Sequence, residues 1–186
     1  LDSHVKGAEN LDIILRTDID SSVPEGSPAR TSIAAGIEDT DPCFGGNLHG
    51  DGHTISGLTS SLFGKLCGNV YNLGVTGSFT SAGVADAGDG FVENCWVKSD
   101  ATALPDGASK VNAVFGNPND PEHPGCTQVV NCYYPESNAA LYNDNGSAAN
   151  YARKMSDKAF YDGELTYNLN GFYLGKRYYD GSGLTS

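Results

Sequence analysis

Long apolar runs are missing from this chain: no stretch approaches the ~20 residues that a membrane-crossing helix needs, so none of its 186 residues reads as a spanning segment. Positive charge is scarce as well. Eleven Lys and Arg stand against 23 Asp and Glu, a formal net charge of −12, which repels phosphate backbones and anionic lipid and excludes nucleic acid as an expected partner. There is no C-x-x-C pair, and five cysteines (Cys43, Cys67, Cys95, Cys126, Cys132) are an odd number; this argues against a zinc ribbon and against a complete disulfide framework. No H-E-x-x-H occurs, so zinc-peptidase chemistry is not expected. The chain opens at Leu1 without a basic leader region, so an export signal or anchor is expected to have been removed or to lie outside this segment, with the segment part of a longer chain.

Leu, Ile, Val and Phe together supply 38 residues, about a fifth of the chain, while Gly reaches 24 and Tyr 10. That balance fits one domain of many short strands broken by frequent bends, with room for few long helices.

The strands repeat. VYNLGV at 70–75, VENCWV at 92–97 and VVNCYY at 129–134 share one form: apolar, any, Asn, apolar or Cys, any, apolar or aromatic. The spacings are 22 and then 37 residues, and LFG at 62–64 and VFG at 114–116 stand upstream of the first and third. The extra length falls in NPNDPEHPG at 117–125, whose Pro, Asn and Gly content marks an extruded loop. A unit of roughly 20–22 residues cannot bury its apolar face alone and becomes stable by stacking.

In a stack, Val70, Leu73 and Val75 point inward, as do Val92, Cys95 and Val97, and then Val129, Cys132 and Tyr134. Tyr71 and Gly74, Glu93 and Trp96, and Val130 and Tyr133 point out. Asn72, Asn94 and Asn131 fall between the two inward positions, where the chain must bend; Asn tolerates left-handed backbone and can pass hydrogen bonds up a stack. Upstream, Leu11, Ile13 and Leu15 alternate onto one face of an opening strand that caps the first coil, and the segment from Ser21 to Ala35, with Pro24, Gly26 and Pro28, reads as a surface loop. Downstream, 156–171 reads as one helix, with Ser156 as N-cap, Gly163 as a weak point and Gly171 as a stop. The expected architecture is therefore all-β: a short right-handed parallel β-helix over residues 1–150 with irregular loops, and a C-terminal helix and aromatic tail over 151–186 that pack on the stack.

The run FGGNLHGDGHTISGL at 44–58, followed by LFGKLCGNVYNLGVTGSF at 62–79, resembles the GLUG-type repeat of bacterial surface proteins, in which a DGNGHTISGL coil precedes an LFG…G.V.NL.V.G coil. The opening LDIILRTDID and the closing SDKAFYDGELTYNLNG resemble what flanks these repeats. The later coils depart from the pattern, with Cys95 and Cys132 where Val or Leu is usual. The resemblance implies a right-handed β-helix on the outside of the cell, adhesin-like in function.

No residue set points to catalysis. HGDGH places His49 and His53 four apart around Asp51, but Gly50 and Gly52 disfavour the helix that would align two ligands, and a hydrogen-bonded bend is the expected role. Glu93, Asp86, Asp89, Asp100 and Asp106 are the acids available to a glycan-cleaving site, with Lys98 the base among them, and most lie in Gly- and Ala-rich loops. NPNDPEHPG and YNDNGS lack the spacing of a helix-loop-helix calcium site. No catalytic residue, metal or cofactor is expected.

The outward pair Trp96 and Tyr133, one strand spacing of ~4.8 Å apart, is the candidate ligand site, because exposed rings suit the apolar faces of sugars. Alternatively the helix and the cluster Phe172, Tyr173, Tyr178 and Tyr179 cover it. The expected function is a secreted or cell-surface adhesion module that displays a binding site for glycan or a host surface protein. The rivals are a polysaccharide lyase or hydrolase on the same scaffold and a spacer that binds nothing. Cys95 and Cys132 are expected to stack inward beside Leu73, and pairing among the cysteines stays open.

Overall fold

The computed structural model describes residues 11–28, 32–33, 43–79, 82–88, 90–100, 111–117, 128–138, 141–142, 152–174, 178–179 and 184–185. Alternating apolar residues over three to five positions form strands too short to stand alone, and the chain pairs them coil on coil into a parallel β-solenoid with three faces. Face 1 stacks Asp12–Ile14, Asn47–His49, Asn69–Tyr71, Phe91–Glu93 and Gln128–Val130. Face 2 stacks Ile19–Asp20, Thr54–Leu58, Gly74–Gly77, Trp96–Ser99, Tyr133–Pro135 and Arg153–Met155. Face 3 stacks Phe63–Leu66, Ala85–Gly88 and Phe115–Asn117, and Ile33 extends it by a bridge to Phe63. All pairings on these faces are parallel.

The register follows the sequence repeat. Asn47, Asn69 and Phe91 are Cα partners at steps of 22 residues, and Phe91 then meets Gln128 after 37. The interval lengthens because of what lies between face 2 and face 1 of the later coil; the NPNDPEHPG segment falls almost wholly outside the described residues. LFG and VFG share face 3, with Phe63 and Phe115 both partnering Ala85.

The core is a set of columns along the axis. Leu48, Val70, Val92 and Val129 form one, and Leu73, Cys95 and Cys132 another, all buried. Each buried Val contributes roughly 1.5–3 kcal/mol, whereas a net hydrogen bond contributes about 1 kcal/mol, so the columns dominate stability and the corners fix register. Cys95 and Cys132 remain thiols, and burial raises the Cys132 thiol well above its ordinary value, which leaves it unreactive. Cys43 and Cys67 pair in a disulfide between successive coils; closing that loop, with its sequence separation of 24, contributes about 3 kcal/mol through the unfolded state.

The corners behave as their residues require. Asn72, Asn94 and Asn131 hold φ of 53°, 54° and 50°, and Asp51 takes the same conformation (53°) in the longer corner of the preceding coil. Only short polar side chains and glycine occupy this region without a heavy steric penalty. The corner between faces 3 and 1 is built differently: Gly46, Gly68 and Gly90 recur every 22 residues, and a Cβ on Gly68 would overlap the Gly46 carbonyl. Coils touch there backbone to backbone.

Leu11 and Ile13 pack against the core and Leu15 is buried. The opening segment does more than cap: it splits into the first strands of faces 1 and 2. The stack also runs past residue 150, since Arg153–Met155 pairs with Tyr133–Pro135. Pro135 has no N–H for the ladder, and the Asn138 amide takes over beside it, accepting from Ser99 N and donating to Ser99 O at 2.5 and 3.0 Å.

The single helix expected over 156–171 is two pieces. Ser156 caps a 3-10 turn, Asp157–Phe160, and after Gly163 (φ 91°) helix α1 runs Glu164–Leu174, so Gly171 lies inside it. Gly163 is a break because its left-handed backbone cannot continue a helix. Among the described residues no helix is long and apolar enough to cross a membrane.

The Asn corner supports a direct test. Asn131 Nδ2 donates to Asn94 Oδ1 (2.6 Å) and to the Asn168 carbonyl of α1 (3.1 Å), and its Oδ1 accepts from Tyr133 OH (2.6 Å). Asn131→Ala should cost roughly 2–4 kcal/mol in urea denaturation, and Asn131→Gly should recover about 1 kcal/mol of that, the backbone share. Equal losses in both variants would show that the left-handed corner carries no cost.

Candidate functional site

Trp96 and Tyr133 are Cα partners on face 2, and the outward column reads Thr54, Gly74, Trp96, Tyr133, Arg153. The two rings do not form an exposed pair. Tyr133 is only 8% exposed and its hydroxyl is spent on Asn131; burial raises its phenol above the ordinary range, so it acts as a neutral donor. Trp96 is half-buried. Its indole lies over Gly74, where a Cβ would sit 2.5 Å from Cε2, so glycine at this position is what lets the ring settle on the sheet.

Cover comes from the C-terminal segment, from the 156–171 stretch expected to supply it together with the aromatic tail. Phe160 stands edge-on to Trp96, with centroids 6.1 Å apart and planes at 83°, and Leu165 is buried. The side chains of Phe172, Tyr173, Tyr178 and Tyr179 lie outside the described residues. The cover is incomplete and leaves a cleft of about 340 Å³ between the solenoid and α1. Asp51, Gly52, Asn72, Leu73, Gly74, Asn94 and Trp96 form the solenoid side; Leu165, Thr166, Leu169 and Asn170 form the helix side. Amides, a hydroxyl, one carboxylate, the helix leucines and an indole give the cleft a mixed polar and apolar surface.

The other candidates are placed elsewhere. His49 stacks on Tyr71 (centroids 5.0 Å, planes 22° apart), and His53 Nδ1 lies 3.2 Å from Asp18 Oδ1. Asp18 also accepts from Thr54 N at 2.9 Å; that bond and the His53 contact hold its carboxyl below the ordinary range. His53 thus ties a coil bend to the first coil. Lys98 donates to the exposed Tyr161 hydroxyl at 3.3 Å. Asp89 and Asp106 lie outside the described residues, as does most of YNDNGS.

Face 1 carries a second outward feature, distinct from Trp96 and Tyr133. His49, Tyr71 and Phe91 form a half-exposed aromatic stripe, with Tyr71 and Phe91 centroids 6.1 Å apart. Beside it runs a polar ladder in which Asn69 Nδ2 donates to Asn47 Oδ1 (2.7 Å) and Asn47 Nδ2 to Asp12 Oδ1 (2.6 Å). The signal was available: 47 and 69, and likewise 49 and 71, differ by the same 22 residues as the corners. Glu93 follows His49 and Tyr71 in their column, with Val130 next. Burial raises its carboxyl above the ordinary value, and its charge adds to burial in raising the Tyr71 phenol.

No protein-family model, no curated protein and no solved structure gives a significant match to this chain.

The Glu93 shift sets a pH dependence. Between the ordinary carboxylate pKa and the raised folded value the native state holds the extra proton, so stability falls as pH rises through that window and the full cost stands above it. Glu93→Gln should therefore raise the melting temperature at pH 7 and leave it unchanged below about pH 4. A difference that persists undiminished at low pH would contradict burial as its cause.

Proposed function

We propose that this chain is a non-catalytic ligand-display module of a secreted or cell-surface protein of the GLUG type, and that it binds glycan in the cleft beside Trp96. The observation that carries the reading is the indole held over Gly74 in a cleft whose other polar groups are chiefly amides and a hydroxyl. Sugars present an apolar ring face bordered by hydroxyls, and such a surface meets both. Among the described residues Asp51 is the one ionisable side chain on the cleft, whereas glycoside hydrolysis ordinarily uses two carboxyl groups flanking the bond. The Cys43–Cys67 disulfide supports an oxidising location outside the cytosol, and the charge of −12 disfavours nucleic acid and anionic membrane.

One observation favours a second reading, a polysaccharide lyase or hydrolase. Glu93 on face 1 has its carboxyl raised by burial beside the aromatic stripe, a condition that suits a general acid. A spacer that binds nothing is the third reading.

The readings separate on polysaccharide affinity gels. A binder is retained, releases no reducing or unsaturated ends, and loses about tenfold or more in affinity on Trp96→Ala, equivalent to roughly 1.4 kcal/mol. Gly74→Ala, which displaces the indole without removing it, should weaken retention as well. New ends that disappear in Glu93→Gln would favour the enzyme, and an array of glycans and host proteins without a hit would favour the spacer.

A further inference from the structure

The hydrogen-bond chain from Tyr133 runs to Asn131 and on to Asn94, and there it stops. Asn94 is 1% exposed, yet its Nδ2 has no acceptor among the described residues. Its Oδ1 is committed to Asn131, so the group left over is a pure donor. Asn72 occupies the same corner one coil earlier and does not accept from it. Asn94 also lines the cleft beside Trp96. A buried donor without a partner bears the full desolvation cost, and a ligand oxygen that reaches it relieves that cost.

We infer that the cleft takes the acetamido group of a neutral N-acetylated sugar, with the sugar ring against Trp96, the carbonyl oxygen on Asn94 Nδ2 and the methyl among the leucines. This rests on the glycan reading above and names its ligand class. Three features select the group. Asn94 lines the cleft and its donor is buried, so the group suited to it is a slender arm that enters the cleft rather than a ring hydroxyl held at the rim. Leu165 and Leu169 stand on the helix wall of the cleft as an apolar seat for a methyl. Among the described residues Asp51 is the sole charge there, with no Lys, Arg or His to pair a carboxylate, which disfavours uronate and sialate sugars. The volume of about 340 Å³ is at the small end of the ~300–1,000 Å³ range of ligand sites, so the cleft takes the end of a glycan rather than a length of it.

Trp96 is the only tryptophan in the chain, so its emission reports on the cleft directly. The whole chain is titrated with methyl glycosides of N-acetylglucosamine and N-acetylgalactosamine, of glucose and galactose, and of glucuronic acid. One of the acetamido sugars should shift and quench the emission, with the parent hexoses at least tenfold weaker and the glucuronide silent. Asn94→Asp keeps the oxygen that Asn131 needs and the tolerance of left-handed backbone, but removes the amide donor; it should lose about tenfold toward the acetamido sugar and none toward the hexose. Should that variant fail to fold by circular dichroism, Leu169→Ala tests the methyl seat and should lower acetamido binding selectively. Equal affinity for hexose and acetamido sugar, or unchanged binding in a folded Asn94→Asp, overturns the inference. Retention on a polysaccharide gel with unresponsive Trp96 emission overturns it while leaving glycan binding in place elsewhere; neither retention nor response overturns both.

Discussion

Everything in this molecule depends on like residues stacking on like at a spacing of ~4.8 Å along one apolar axis. No coil has an interior of its own. Val70 is buried because Leu48 and Val92 lie before and after it, and Cys95 because Leu73 and Cys132 do. A register slip of one residue would turn every inward side chain outward, so the corners must be reproducible. Left-handed asparagines serve that purpose at the face 1 to face 2 corner, and glycines in backbone contact at the corner before face 1.

The same constraint made much of the fold readable. Asn72, Asn94 and Asn131 are legible because each sits at one place in one repeat, and all three adopt the left-handed backbone that the pattern demands. The inward positions of all three repeats are buried for the same reason. Less legible were features that depend on contacts between repeats of unequal length. The Cys43–Cys67 pair is offset from a coil by two residues, since Phe44 bridges Leu66 and the cysteines flank that bridge on opposite sides. The helix divides at Gly163, whose left-handed φ local pattern alone does not set. Tyr133 and Trp96 are in register as the alternation implies, but a periodicity says which way a side chain points and not what will cover it. Phe160 and Leu165, from outside the repeat, decide that.

The candidate site arises where the repeat meets that non-repeating segment. Regular stacking supplies the column Thr54, Gly74, Trp96, Tyr133, and the absence of a side chain at Gly74 lets the indole lie down. The Asn131 amide reaches out of the stack to Asn168 of α1 and so fixes the opposite wall of the cleft to the corner ladder. The ladder holds coil register, and it leaves one donor, Asn94 Nδ2, without an acceptor among the described residues, on a residue that lines the cleft with Trp96. Face 1, by contrast, carries an amide ladder that follows register from Asn69 to Asn47 to Asp12, and an aromatic stripe that crosses from the column of His49 and Tyr71 to Phe91 in the column of Asn69.

The central claim is the in-register parallel stack, and a nuclear Overhauser spectrum of the deuterated, amide-labelled chain measures it most directly. The account predicts cross-coil contacts joining Val70 to Val92 and Val92 to Val129, with matching contacts between the Asn94 and Asn131 side chains. Antiparallel cross-strand patterns, or contacts displaced by a residue along these columns, would contradict it.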